Sequence, residues 1–124
     1  MKWFGITALV GLCYFWLFER AQAVPAGPRV LTASWYGYEC AGDTMANGKP
    51  FDPTKFTCAS WDYPLGTLLR VRTKGSKVVV AVVVTDRGPA KRLLKTRQID
   101  LSLRAFKALA PLKLGLIRVT VEKL

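Results

Sequence analysis

Val78-Val79-Val80-Ala81-Val82-Val83-Val84-Thr85-Asp86-Arg87-Gly88-Pro89 is the stretch on which the fold turns. Branched β-carbons favour the pleated sheet, and Asp-Arg-Gly-Pro ends the valine run as a turn. A nearly unbroken apolar strand is expected to be covered on both faces and to sit centrally. Upstream, Leu69, Val71 and Thr73 alternate with Leu68, Arg70 and Arg72 in a half-buried strand, and Gly75-Ser76 reads as a two-residue hairpin turn. Val30 to Trp35 reads as another strand, Gly37 to Pro50 as a loop, and Asp52-Pro53-Thr54-Lys55 as one short helical turn. Downstream lie a basic loop from Lys91 to Arg97, a brief strand at Ile99-Asp100-Leu101, and a helix from Leu103 to Leu109 capped by Ser102 and stopped before Pro111. Leu103, Phe106 and Leu109 fall on one helical face. Leu116 to Glu122 alternates again. The pattern predicts a mainly β fold: a small, closed, mainly antiparallel barrel with one short capped helix.

The first residues have a different character. Met1-Lys2, an uncharged apolar run from Trp3 to Phe18, and Ala21-Gln22-Ala23 match a signal peptide over 1–23, cleaved after Ala23. The alternative is an uncleaved anchor, for which the run falls short of the ~20 apolar residues of a spanning helix. Both place the rest outside the cytosol, in the periplasm, cell envelope or medium, with membrane contact confined to this segment. A linker over 24–30 then leads to a single domain over 31–124, expected to be a monomer. Without Lys2, Glu19 and Arg20 the chain keeps 17 basic and 7 acidic residues, a net charge of +10. That field attracts polyanions, and export excludes nucleic acid in favour of envelope polymers. Two cysteines remain there, Cys40 and Cys58, and an even count in an oxidising compartment predicts one disulfide. The chain has no histidine, which excludes Ser-His and Cys-His catalysis and any His-based metal site, so no metal or cofactor is expected. Carboxylates are left to carry any chemistry.

Five ordered segments bear a resemblance. Ala33-Ser34-Trp35-Tyr36-Gly37, Ala46-Asn47-Gly48, Pro64-Leu65-Gly66-Thr67, Val84-Thr85-Asp86-Arg87-Gly88-Pro89 and Ile99-Asp100-Leu101-Ser102 together resemble the rare lipoprotein A family, from Thr32 to the C-terminus. The resemblance implies a six-stranded double-psi β-barrel related to the first domain of expansins. It also implies action on peptidoglycan glycan strands, either as a lytic transglycosylase or as a non-catalytic, expansin-like binding module. Two positions depart from the pattern: Lys49 stands where active members have Glu, and Ser60 where they have His. Of the groups tied to the family's activity, Asp86 is retained.

A transglycosylase needs one carboxyl that protonates the leaving glycosidic oxygen and then takes a proton from the attacking sugar hydroxyl. Asp86, at a strand exit, is expected to be partly desolvated, which favours the protonated acid. The expansin resemblance places Asp100 opposite it across the barrel mouth, as a coupled pair. The plainer reading makes both structural, Asp86 in its turn and Asp100 at the helix start. Tyr36, Trp61 and Tyr63 are candidates for stacking on sugar rings, with core packing as the alternative, and Trp35 is assigned to the core. Asn47 shapes a turn, with ligand contact secondary. Arg87, with Lys91, Arg92, Lys95 and Arg97, either grips peptide-stem carboxylates or forms a solvated face.

Overall fold

The computed structural model describes residues 27–124, so the expected signal peptide over 1–23 lies outside the described residues. Six strands form a closed barrel: β1 (Arg29–Tyr36), β2 (Thr57–Ala59), β3 (Leu68–Thr73), β4 (Val79–Asp86), β5 (Ile99–Ser102) and β6 (Ile117–Lys123). Their order around the wall is β1-β5-β2-β4-β3-β6. The pairs β1/β5 and β2/β4 are parallel and the other four antiparallel. Helix α1 (Leu103–Leu109) follows β5 directly, and among the described residues no helix is long and apolar enough to cross a membrane.

Alternation along each strand sorts side chains between the barrel interior and the outer surface. Leu31 and Ala33 of β1, Cys58 of β2, Leu69 and Val71 of β3, Val80, Val82 and Val84 of β4, Ile99 and Leu101 of β5, and Val119 and Val121 of β6 make one buried core. The expectation that β4 is covered on both faces is corrected: Val79 and Ala81 are exposed. A barrel this small has one interior, and the outer face is covered only where a loop crosses it. The hairpin is longer than expected too. β3 ends at Thr73 and β4 starts at Val79, with Gly75 at φ +81° and the Ser76 amide donating to the Thr73 carbonyl. β1 begins inside the anticipated linker, since Arg29 pairs with Val121. Asp52 to Lys55 is a hydrogen-bonded turn rather than a helix, with Asp52 Oδ1 accepting from the Thr54 amide and hydroxyl.

The expected Cys40–Cys58 bridge is likewise corrected: both are free thiols. Cys58 is fully buried in the core, whereas Cys40 sits half-buried in a 3-10 turn outside the wall. In unreduced, denatured protein both cysteines should therefore react with iodoacetamide, and in the native state Cys40 should react well ahead of Cys58. A peptide map with Cys40 and Cys58 crosslinked would overturn this.

Ser102 joins three elements. Its Oγ accepts from the Ala105 amide as the cap of α1 and from the Thr57 amide of β2, and donates to the Lys55 carbonyl at 2.6 Å. Ser102→Ala removes a cap and strands buried partners, which should destabilise the protein by about 2 kcal/mol in urea unfolding. A change below ~0.5 kcal/mol would mean that water replaces the hydroxyl.

Candidate functional site

The outer face of the β1-β5-β2-β4 wall carries a row of side chains fixed by strand register. Ser34 pairs with Asp100, Asp100 with Ala59, and Ala59 with Asp86. The last pairing depends on a bulge. Cys58 opposes Val84 and Ala59 opposes Asp86, so Thr85 is an extra residue and both Val84 and Thr85 are buried. A bulge turns the side chains beyond it toward a new direction. Here it brings Asp86 onto the row that contains Asp100. The two carboxylates therefore flank one alanine on the barrel's outer wall, rather than facing each other across its mouth.

Each carboxylate has its own surroundings. Asp86 Oδ1 accepts from the Ala46 amide at 2.9 Å and the Arg87 amide at 2.8 Å, which fixes the side chain by one oxygen. Asp100 Oδ1 accepts from the Ser34 hydroxyl. Burial pushes the Asp100 carboxyl above the usual aspartate range; the Ser34 hydrogen bond and the Arg97 charge oppose that push, and the Asp86 charge adds to it. Gly88 roofs the row. A β-carbon at Gly88 would lie 3.2 Å from both the Ala59 methyl and Asp100 Oδ2, which explains glycine after Asp-Arg. The Gly88-Pro89 peptide is cis.

Residues 37–56 lie over the same face. Tyr36 stacks on Phe51 with ring centroids 4.2 Å apart, and its buried hydroxyl lies against the Thr57 side chain. Burial first, then the charges of Asp86, Cys58 and Asp100, holds the Tyr36 phenol far above its ordinary range, so it remains a neutral donor. Asn47 makes its turn as expected: Oδ1 accepts from the Lys49 amide, and Gly48 follows at φ +85°.

Other candidates move. Tyr63 is 1% exposed and belongs to the core. The Arg87 guanidinium donates to the Ser60 and Tyr63 carbonyls at 2.7 and 2.6 Å, so it braces the 60–63 loop. Trp61 is 41% exposed, with its ring nitrogen donating to the Pro89 carbonyl and Lys91 Nζ 4.6 Å above the ring. It is the candidate aromatic left facing solvent beside the site. Trp35 packs on Phe106 and donates to the Leu112 carbonyl, as expected of a core residue. Lys91, Arg92 and Lys95 are exposed. Ser34 and Arg97, which act directly on Asp100, were not singled out from the sequence for that role. Their signal was the strand pairing, which no local pattern reveals. Among the described residues no cluster of three metal-ligating side chains occurs.

A family profile described as "Lytic transglycolase" matches residues 29–121. The chain belongs to this family. It is 41% identical over 91 residues to an endolytic peptidoglycan transglycosylase RlpA of Pseudomonas aeruginosa, covering 73% of this chain and 26% of that protein. The chain spans between 26% and 46% of the length of the RlpA proteins of Pseudomonas and Rickettsia bellii. Among solved structures it resembles the Streptomyces papain inhibitor, with a TM-score of 0.63 and 26% identity over 82% of this chain and 98% of that one. It also resembles a mutant Clavibacter michiganensis expansin in complex with cellohexaose, with a TM-score of 0.60 and 23% identity over 78% of this chain and 50% of that one. These likenesses establish the fold expected from the five segments: a double-psi β-barrel of the rare lipoprotein A type, shared with expansins.

Burial of Asp100 has a pH consequence. With its native pKa raised, folding favours the protonated form, so this contribution is fully present below the unfolded pKa and is lost as pH rises through the native one. Asp100→Asn should therefore be more thermostable than wild type at neutral pH, with the gap closing as pH falls toward ~4. Melting curves across that range check it, and a variant less stable than wild type at neutral pH would contradict it.

Proposed function

We propose that this chain is a peptidoglycan lytic transglycosylase domain that cleaves glycan strands in the cell envelope and leaves 1,6-anhydromuramoyl ends. The observation that carries this reading is the row Ser34–Asp100–Ala59–Asp86, which sets two half-buried carboxylates on either side of one alanine. The activity for which the relatives are named supports it. With the glycan along the outer wall, the Asp86 carboxyl gives its proton to the glycosidic oxygen as the bond to the anomeric carbon breaks. The muramoyl 6-hydroxyl attacks that carbon and passes its own proton to Asp86. No water is consumed and the carboxyl is restored. Asp100, held by Ser34 and roofed by Gly88, stands beside it in the same row of the wall. Trp61 offers a flat apolar surface for a sugar ring beside the turn.

Two residues favour a second reading, an expansin-like module that binds the wall without cutting it. Ser60 is buried, its hydroxyl accepting from the Asp62 amide and its own amide donating to the Asp86 carbonyl, so it serves the backbone and offers no imidazole. Lys49 is exposed and brings a cation where active members have an acid.

Mass spectrometry of purified peptidoglycan incubated with the protein separates the two readings. Anhydromuramoyl products are expected from wild type, and Asp86→Asn should lower their rate on the order of 100-fold or more while glycan pull-down and the melting curve stay nearly unchanged. Pull-down without anhydro products from wild type would leave the binding module in place of the enzyme.

A further inference from the structure

Away from the carboxylate row, β4, β3, β6 and β1 present an outer face of cations and valines. Strand register sets its rows. Val79 opposes Arg72, Arg72 opposes Thr120, and Thr120 opposes Val30. Ala81, Arg70 and Glu122 make the next row, and beyond the Thr73–Val119 pair come Lys74 and Arg118 on adjoining strands. At ~4.8 Å between strands, the four-strand row is about 15 Å wide. Val30 is 66% exposed, Val79 48% and Val78, in the hairpin between β3 and β4, 47%. Arg72, Lys74, Lys77 and Arg118 are exposed too, and none of the four is in an ion pair among the described residues. Arg70 is held by Glu122, the one acid in these rows.

We propose that this face binds an anionic phospholipid surface, giving the barrel a membrane contact of its own. Lipid phosphates meet Arg72, Lys74, Lys77 and Arg118, and the valines enter the boundary between headgroups and acyl chains. The long stems of arginine and lysine lie along that boundary with their charges at the phosphates. Other occupants use less of the face. A soluble polyanion takes the cations and leaves the valines in water. A sugar polymer packs on aromatic rings, and these rows hold none. A second copy sets like charge against like. The chain also enters the wall here: β1 starts at Arg29, and only residues 19–28 separate it from the apolar run Trp3 to Phe18, the other expected membrane contact. None of these cations or valines belongs to the Asp86 row, so the assignment stands apart from the glycan-cleaving reading.

Vesicle sedimentation of the full chain tests this, with vesicles of phosphatidylglycerol and phosphatidylethanolamine set against pure phosphatidylcholine at the same salt. Residues 1–26 are common to every variant, so differences between variants read the barrel. Wild type should partition at least about 30-fold more strongly onto the anionic vesicles. Arg72→Glu with Arg118→Glu should abolish that preference, whereas Lys55→Glu with Lys107→Glu, the same charge change at exposed lysines off this face, should keep most of it. Should the first pair fail to fold in a melting curve, Arg72→Gln with Arg118→Gln reads the same positions and should lower the preference about 10-fold. Val30→Ser with Val79→Ser should weaken vesicle binding about 3-fold or more and leave binding to soluble polyphosphate unchanged. Equal partition of wild type onto both kinds of vesicle, or equal loss in the two glutamate pairs, would overturn the proposal. Serine variants that bind vesicles as wild type does would overturn it in favour of a soluble polyanion.

Discussion

Gly88 lies so close over Ala59 and Asp100 that a β-carbon there would come within 3.2 Å of the Ala59 methyl and of Asp100 Oδ2, and the seating of the turn after β4 depends on that close approach. It sets how low the turn after β4 can lie over β2 and β5. With the turn seated there, Asp86 reaches the Ala46 amide, Arg87 reaches the carbonyls of Ser60 and Tyr63, and the Pro89 carbonyl reaches Trp61. Each of these bonds links segments distant in sequence. Two small residues therefore coordinate the loop over the site, the loop beside it and the strand exit between them.

The electrostatic arrangement obeys the same geometry. The chain has 19 basic and 8 acidic residues, yet two aspartates share one row of the wall. The cations around them are held in different ways: Arg97 acts on Asp100 through its charge, the Arg87 guanidinium donates to two carbonyls, and Lys91 lies over Trp61. A tight ion pair would hold a carboxylate ionised and unable to donate a proton. Keeping Arg97 at the range of charge alone leaves Asp100 able to exchange one.

Some of this was legible in the sequence. The alternation of Leu68 to Thr73, the Ser102 cap and the turn after Asp86 are local signals, and the structure reproduces them. β2 was not legible, because three residues, Thr57 to Ala59, carry no period. Without β2 the relation between Asp86 and Asp100 cannot be drawn, nor can the bulge at Thr85, which is visible only when β4 is laid beside its partner. Tyr63 and Arg87 misled for a related reason: both belong to loop-like sequence, and a loop braced against a barrel buries residues that composition places at the surface. The cysteine count misled because parity says nothing about where in the fold each side chain sits: Cys58 is in the core and Cys40 in a 3-10 turn, both as free thiols.

The closed order of the strands bears on how such a protein behaves when concentrated. A sheet with a free margin offers unpaired amides and carbonyls to any passing extended chain, a copy of itself included. Here every strand has a neighbour on each side, even β2 with its three residues. Among the described residues, crowding at a surface therefore meets only short stretches of unpaired strand, such as Val79 to Val82 on the side that β2 does not reach.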